Sequence, residues 1–313
     1  MSEFLEVLAD HVSASSPPQF RKDVLFALSK HIGFDGAIWG EAHITNQMTL
    51  HEPEVIGLPA DDLTGLQTAA YSDPHMQLVF QKPGSPVAYS VNKHSPKALV
   101  EYTEQNGVKH VMSTAQFDQQ IGLASGLVLT RNFENSAFSK TEEAFMFAVF
   151  PHLIRCWAEN QISFVRREID KEYRNKIFAV VTRFGNITGA EKGFLDKLRI
   201  EWPGFSGPQL PDEIGNLISQ RTVCSHAGSR IVVKCHPTKD LSLLIVRDRV
   251  KADSLTAKQM SVAQLCVDGL TYREIADHLS IAPSTARNHI AAIHERLMVN
   301  RNSEIARLLA EMD

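Results

Sequence analysis

The N-terminal part of the chain mixes the two spacings of apolar residues that predict helices and strands. Apolar positions recur at i, i+3 and i+4 over residues 4–11 and 20–31, which predicts two helices. Runs rich in Ile, Leu, Val, Trp and small residues over 37–42 and 121–130 predict strands. Helices followed by a late pair of strands favour an α+β domain, to which we assign residues 1–138.

A long helical pattern follows this domain. Ser139 and Glu142 have the hydroxyl-to-carboxylate spacing of a capping box, and apolar residues then continue at helical spacing. Pro151 lacks an N–H and clashes with the preceding turn, so we expect a kink or an interruption there. The pattern predicts a helical linker over residues 139–174. Two alternatives stay open for this helix: it packs on its own domain, or it pairs with a second copy as a dimer helix.

Residues 175–250 again mix the two patterns. Their last part reads as three strands, with turns at Ala227-Gly228 and at residues 237–240. The Pro/Gly-rich stretch EWPGFSGPQLPDEI precedes these strands and is typical of a loop. The segment therefore predicts a small α+β unit that ends in an antiparallel meander.

The last segment, residues 251–313, is helical throughout and predicts four helices. A short break separates the second from the third, which is typical of a helix-turn-helix whose later helix enters the major groove of DNA. The predicted starts are the capping pairs Thr256 with Gln259 and Thr271 with Glu274, then Pro283, then Asn302-Ser303.

Groups that can recognise DNA lie on one side of the predicted third helix. Arg287 can donate two parallel hydrogen bonds to guanine, and Asn288 can pair with adenine. Ser284 and Thr285 begin the helix beside free backbone N–H groups, where a phosphate binds, and Ala291 is small enough to approach the groove floor. The opposite, apolar side predicts the contact with the second helix. It comprises Ala286, Ile290, Ile293 and Leu297, which form one inward face with Ile275, Ala276 and Leu279 of the second helix.

Charge limits how this segment can bind nucleic acid. The whole chain has a net charge of −4, and residues 251–313 contain seven Lys/Arg against eight Asp/Glu. Affinity for phosphate must therefore come from a few placed cations, and tight binding needs a second copy. The further candidates for phosphate contacts are Arg273, Lys258, Arg296 and Arg301.

Residues 255–308 resemble the LuxR-type helix-turn-helix domain. The matching residues are Leu255, Thr256, Gly269, Leu270, Thr271, Glu274, Ile275, Ala276, Leu279, Ile281, Thr285, His289, Ile293, Leu297, Val299 and Arg301. The resemblance implies DNA-facing positions at Thr285, Arg287, Asn288 and Ala291, and dimer contacts on the fourth helix. The departures from the family pattern are Gln259, Ala282, Ala286-Arg287 and Met298. No base preference therefore carries over.

The upstream segments resemble sensor domains. The order of helices and strands in residues 1–138 resembles a GAF-type domain, and residues 175–250 are similar to PAS-like domains in EWPGFSG and the strands that follow. The stretch YSDP, which holds Tyr71 and Asp73, is also similar to acyl-homoserine-lactone receptors of the LuxR type. That similarity implies Tyr71 and Asp73 as ligand-binding candidates, whereas a cap on the following helix is the alternative for Asp73.

Other classes of protein find no support in the sequence. It contains no HExxH, GxSxG or P-loop motif, so we predict no enzyme, no catalytic residue and no metal site, and no pattern identifies a cofactor. No run of 18 apolar residues predicts a membrane span. The four cysteines are far apart, which indicates a reducing compartment, and we expect a cytoplasmic protein.

Together these patterns predict α+β sensor domains (GAF-like, PAS-like) joined by a long helix to an all-α four-helix LuxR-type helix-turn-helix domain. The predicted function is transcription regulation by a homodimer that binds double-stranded DNA and responds to an unidentified signal, with RNA polymerase as a partner if it activates. Two alternatives stay open. One is a quorum-sensing receptor for a small-molecule lactone, and the other is a signal-binding interaction module whose DNA-binding domain is held inactive.

Overall fold

The computed structural model describes residues 1–44, 48–59, 63–118, 123–168, 176–183, 185–207, 209–238 and 241–312. The chain forms two compact units. The first comprises residues 1–224 and 235–245, and the second comprises residues 225–234 and 246–313.

A five-stranded antiparallel sheet organises the first part of the chain. Its strands are β1 (Gly36–Ile44), β2 (Met48–Ile56), β3 (Val87–Ser90), β4 (Val108–Asp118) and β5 (Leu123–Asn132). The strand order is β2-β1-β5-β4-β3, with Trp39 opposite Leu127 in the central pair. The strands predicted at residues 37–42 and 121–130 are confirmed within β1 and β5, although residues 121–122 lie outside the described part of the chain.

Helices pack on both faces of this sheet. They are α1 (Ser2–Ala14), α2 (Pro17–Ser29), α3 (Leu63–Ser72), α4 (Pro74–Gln81), α5 (Lys97–Gln105) and α6 (Lys140–Glu168). Met112 and Val111 are consecutive on β4, so their side chains point to opposite faces. Met112 belongs to the core formed with α1, α2 and α6, whereas Val111 belongs to a second cluster with α3 and α5. The predicted α+β class is confirmed for this segment.

Helix α6 runs without a break through Pro151. No interruption therefore occurs at this proline, whereas a kink there, the other form of the expectation, stays a prediction. The neighbouring residues explain why, because Val149, Phe150 and Leu153 are buried in the core whereas Pro151 faces solvent. Tertiary packing on both sides holds the helix together although the proline removes one backbone hydrogen bond.

A second five-stranded sheet follows α6. Its strands are β6 (Ile177–Thr182), β7 (Ile187–Ala190), β8 (Cys224–Ala227), β9 (Ile231–Pro237) and β10 (Leu241–Asp248), in the order β7-β6-β10-β9-β8. Helices α7 (Phe194–Glu201) and α8 (Asp212–Ser219) come between β7 and β8 along the chain. The three predicted strands at the end of this segment are confirmed as β8, β9 and β10. Their second turn includes residues 239–240, which lie outside the described residues.

Helix α6 packs against both sheets within the first unit. Trp157 lies in the core under the first sheet, and Val165, two turns later, lies in a cluster with Phe178 and Leu243 of the second sheet. Among the described residues, α6 thus packs on the sheets that precede and follow it in the chain. Pairing with a second copy stays a prediction, as do the boundaries of the individual domains.

Four helices form the rest of the second unit, as predicted. After a short 3₁₀ turn at Lys251–Ser254 come α9 (Ala257–Val267), α10 (Tyr272–His278), α11 (Pro283–Leu297) and α12 (Asn302–Ala310). One apolar cluster joins all four helices and includes Val262, Ile275, Ile293 and Ile305, each fully buried. The helices are short, so this shared core rather than intrinsic helix propensity stabilises them.

Candidate DNA-binding surface

Local signals fix where α10 and α11 begin. The backbone N–H of Thr271 donates to Glu274 Oε2 at 2.7 Å, which completes the predicted capping box of α10. Residues 279–282 connect α10 to α11, and Ser280 among them adopts the left-handed conformation with φ 52°. A left-handed residue just after a helix reverses the chain within a few residues. Pro283 then occupies the first turn of α11, as predicted.

The side of the two helices predicted to be apolar is buried. Ile275 and Ala276 of α10 and Ala286, Ile293 and Leu297 of α11 are each at most 1% exposed. The other two predicted members of this side, Leu279 and Ile290, are partly buried against the same cluster. The small side chain of Ala276 lets the helices approach closely. The orientation of α11 about its own axis is therefore set by its core contacts.

The opposite side of α11 carries the predicted DNA contacts. Ser284, Thr285, Arg287, Asn288 and Ala291 are all exposed. Residue 282, which precedes the helix, makes no side-chain cap, so the backbone N–H groups of the first turn stay available, as the alanine at this position predicts. Free N–H groups and the positive end of the helix dipole attract an anion such as a phosphate.

An aromatic residue that the sequence analysis did not single out joins two of the predicted cations. The guanidinium carbon of Arg287 lies 4.5 Å from the centre of the Tyr272 ring. Arg273 Nε donates to the Tyr272 phenol oxygen at 3.2 Å. The hydrogen bond from Arg273, then that from Arg287, lowers the pKa of Tyr272. A tyrosine directly after the Thr271 cap and beside an arginine was the available signal.

The remaining predicted cations lie on other helices. Lys258 is exposed in the first turn of α9, and Arg301 is exposed at the N-cap of α12. Arg296 Nη1 donates to the backbone oxygen of Ser254 at 3.0 Å and to Gln259 Oε1 at 3.1 Å, so it ties α11 to α9. The structure thus brings Arg273 and Arg287 together around one ring. The roles of all these cations toward DNA stay predictions.

The two residues suggested as ligand contacts have very different surroundings. Tyr71 is 66% exposed, whereas Asp73 is 3% exposed. Asp73 caps α4 by accepting from the backbone N–H of His75 at 2.9 Å, which is the alternative that the sequence offered. Its carboxylate also accepts from His75 Nδ1 and from the Tyr89 hydroxyl. Burial raises the pKa of Tyr89, so this phenol keeps the proton that it donates.

An apolar cavity of about 70 Å³ lies between the first sheet and helices α3 and α4. Much of its lining consists of small side chains and glycine, which leave the space open. The lining residues are Ile38, Gly40, Ala42, Ala70, Met76, Phe80, Ala115, Ala124, Gly126 and Val128. Such a cavity suits an apolar group of a few carbon atoms.

The cysteines and the acidic and histidine residues form no further site in the described part of the chain. No group of three potential metal ligands comes together there. Burial raises the pKa of Cys156 and Cys266, and that of Cys235 to about 12, which keeps these thiols protonated and unreactive. None of the described helices has the length and apolar character of a membrane span.

Comparison with known proteins assigns the helical segment. Residues 253–309 match the family described as bacterial regulatory proteins of the luxR family. The transcriptional regulatory protein UhpA of Escherichia coli strain K12 is 33% identical over 73 residues, which are 23% of this chain and 36% of UhpA. The chain thus matches about a third of the length of this relative.

Solved structures resemble the chain loosely. CepR2 of Burkholderia cenocepacia, an N-acylhomoserine-lactone-dependent LuxR-family transcription factor, has a TM-score of 0.40 at 15% identity and covers 49% of this chain and 91% of its own. SdiA of Escherichia coli has a TM-score of 0.39 at 9% identity over 99% of this chain and 96% of its own. A GAF domain/HD domain protein of Geobacter sulfurreducens has a TM-score of 0.34 at 13% identity over 50% and 98%.

No residue role is transferred from these structures, since their TM-scores are low. The assignment depends instead on the segment that matches the family model and on the geometry of α10 and α11 within it. Residues 253–309 are a helix-turn-helix domain of the LuxR family.

Proposed function

We propose that the chain is a sequence-specific DNA-binding transcription regulator in which α11 enters the major groove. The observation that carries this proposal is the exposed row Thr285, Arg287 and Asn288 on a helix whose other side is buried in the domain core. Direct reading of base edges requires side chains that form two hydrogen bonds to one base and are held on a rigid helix. Arg287 and Asn288 are side chains of this kind. The family to which this segment belongs consists of regulators, so no catalytic residue is part of the proposal.

Each residue of the surface has a role in this proposal. Ser284 and Thr285 bind a phosphate at the start of α11, where the backbone N–H groups are free. Arg287 and Asn288 read bases, and Ala291 allows close approach one turn later. The phosphates on either side are contacted by Lys258, Arg273 and Arg301, whereas Arg296 is already bonded to Ser254 and Gln259.

The proposal includes a homodimer, because one domain of nearly balanced charge binds too few phosphates for high affinity. Paired α11 helices then contact half-sites about one helical turn apart. Residues 1–138 act as a GAF-like sensor and residues 175–250 as a PAS-like domain, and a signal shifts the population of dimer geometries. The dimer acts on the chromosome in the cytoplasm, and an activating dimer contacts RNA polymerase.

The apolar cavity beside α4 supports a small apolar molecule as the signal. An acyl-homoserine lactone is the specific alternative. The Asp73 carboxylate, which already accepts from His75 and Tyr89, would then exchange one of these bonds for a ligand N–H. A rise in melting temperature with such a lactone, lost in Asp73→Ala, would support this alternative.

The test of DNA reading begins with a genome-wide map of bound sites, which supplies the operator. Fluorescence anisotropy then compares binding of operator and random duplexes by wild type, Arg287→Ala and Arg287→Lys. A bidentate base contact contributes about 1–3 kcal/mol of discrimination, and lysine keeps the charge but not the fork. We expect both variants to lose operator preference and the lysine variant to keep its affinity for random DNA.

Glu295→Ala serves as the control, because Glu295 is exposed on the last turns of the same helix. Operator preference that survives in Arg287→Ala would refute base reading by this residue. Footprinting of the full chain against residues 251–313 adds a second outcome. Protection by the short fragment alone, with or without signal molecules, would favour the interaction module with a DNA-binding domain that is held inactive.

A further inference from the structure

The cluster of Tyr272, Arg273 and Arg287 links the two helices of the helix-turn-helix on their DNA side. We propose that Tyr272 is a specificity-determining positioning residue, which holds Arg287 over one base pair and Arg273 against the neighbouring phosphate. The inference deepens the proposed function and depends on it. It gives a role to a side chain that neither the spacing of apolar residues nor the family pattern marks.

The ring of Tyr272 can orient Arg287 without blocking it. The guanidinium carbon stands 4.5 Å from the ring centre, within the range of a cation–π contact. All five N–H donors of a guanidinium lie in its own plane. The phenol oxygen of Tyr272 can engage only part of this set, so N–H groups of Arg287 remain to pair with guanine O6 and N7.

Positioning matters because a free arginine samples many rotamers. An exposed arginine has to lose this freedom when it binds a base, and that loss weakens binding. Contact with Tyr272 restricts the side chain before DNA arrives. Tyr272 belongs to α10 and Arg287 to α11. The contact therefore also fixes the position of the Arg287 side chain relative to α10, the helix that crosses the DNA backbone.

The phenol oxygen of Tyr272 holds the other arginine of the cluster, Arg273. It accepts from Arg273 Nε at 3.2 Å, so this bond uses only one of the five N–H donors of Arg273, and the donors of its terminal nitrogens can take a phosphate. The ring of Tyr272 also lies 5.7 Å from the Arg273 guanidinium carbon. One side chain thus separates a base-reading arginine from a phosphate-binding one and keeps both on one surface.

Tyr272 is not needed for the fold of its domain. It is only partly buried, and the residues that α10 contributes to the buried core of residues 251–312 are Ile275 and Ala276. The start of α10 is secured by the capping box of Thr271 and Glu274. Replacing Tyr272 should therefore leave the domain folded, and Tyr272→Phe keeps even the ring.

The contact itself can be tested without DNA. Absorbance of the phenolate during an alkaline titration, taken as the difference between wild type and Tyr272→Phe, follows Tyr272 alone. The two arginines stabilise the phenolate, so its pKa should lie below that of an ordinary tyrosine. Arg287→Ala and Arg273→Ala should each raise this pKa, and the rise should be larger in Arg273→Ala. A Tyr272 pKa that neither substitution changes would overturn the proposed contact.

The effect on specificity needs operator duplexes in which each base pair is replaced in turn. We expect Tyr272→Ala to lose about threefold to tenfold in discrimination at the base pair where Arg287→Ala also loses it. Affinity for random DNA should change less than about twofold. Tyr272→Phe should restore the discrimination, because the ring remains. Arg273→Ala should weaken binding to every duplex alike.

The outcomes separate this inference from the proposed function. Tyr272→Ala with an unchanged base profile, or with an equal loss on every duplex, would overturn the positioning role while Arg287→Ala still alters one position. If Arg287→Ala itself changes no position, base reading fails first, and the titration still decides whether the two side chains are coupled. In the double variant, Arg287→Ala should remove any further effect of Tyr272→Ala at that base pair.

Discussion

On α11 a single step along the helix separates a residue that holds the fold from one that faces solvent. Ala286 is fully buried, while Thr285 and Arg287 on either side of it are exposed. Successive helical residues turn by about 100°, so the buried and exposed sets do not mix. Substitution of an exposed residue changes what the surface can bind and leaves the core contacts intact. Binding measurements on Arg287 and Asn288 variants therefore report recognition rather than unfolding.

Met298 is a residue whose cost to the fold can be measured. It ends α11 in the left-handed conformation with φ 55° and ψ 49°, and its side chain is 74% exposed. The side chain thus gains little from packing, while the Cβ atom makes the left-handed backbone conformation unfavourable. The LuxR-type pattern has glycine at this position. We predict that Met298→Gly raises the unfolding free energy of the helical domain by about 0.5–1 kcal/mol.

Hydrogen exchange of α11 and α12 amides in the full chain measures this gain. Met298→Ala is the matched control, because alanine keeps the Cβ that the left-handed conformation disfavours. Equal protection in the glycine and alanine variants would show that backbone strain at this position is not the cause.

Elements that are set by local chemistry could be predicted from the sequence, and those set by distant contacts could not. The caps of α9 and α10 follow from Thr256 and Thr271 alone, because a hydroxyl and a side chain three residues later satisfy each other. The passage of α6 through Pro151 depends on packing against residues more than a hundred positions away in the chain. The pairing of Tyr272 with Arg287 depends likewise on how two helices meet.

Helix α6 is attached to the first sheet by a buried ionic group. Glu41 of β1 accepts from Arg21 of α2 at 2.5 Å and from the indole N–H of Trp157 of α6, also at 2.5 Å. The Arg21 guanidinium carbon stands 3.9 Å above the Trp157 ring. The side chains of Arg21 and Glu41 are only 7% and 5% exposed. One carboxylate thus joins three elements.

We predict that Glu41→Leu lowers the unfolding free energy by about 3–5 kcal/mol, because it removes the counter-ion of a buried guanidinium. Urea unfolding followed by tryptophan fluorescence measures this change. The double variant Arg21→Met/Glu41→Leu should recover much of the loss and stay about 1–3 kcal/mol below wild type, since the Trp157 N–H still lacks its acceptor. A double variant that is less stable than Glu41→Leu would argue against a penalty from the unpaired charge.

For the whole molecule, the balance of charge decides how DNA is bound. The chain carries 32 Lys/Arg and 36 Asp/Glu, so long-range attraction to DNA is weak and a few cations must supply the phosphate contacts. Among the candidates, Arg296 is already bonded to Ser254 and Gln259. Arg273 uses its Nε for the Tyr272 phenol oxygen, whereas the side chains of Lys258 and Arg301 are exposed. The contribution of each cation can be read from the dependence of binding on salt.

We predict a logarithmic salt slope of about −5 to −7 for the proposed homodimer on its operator, since each neutralised phosphate contributes about −0.9. Anisotropy titrations at a series of KCl concentrations give this slope. Arg273→Ala should make it shallower by about 2, one contact per copy. Arg296→Ala should leave the slope unchanged and lower the stability of the helical domain instead, because its hydrogen bonds join α11 to α9. A slope of −10 or steeper would mean that many more cations reach the DNA than α9–α12 present, and DNA contacts outside these helices would then have to be sought.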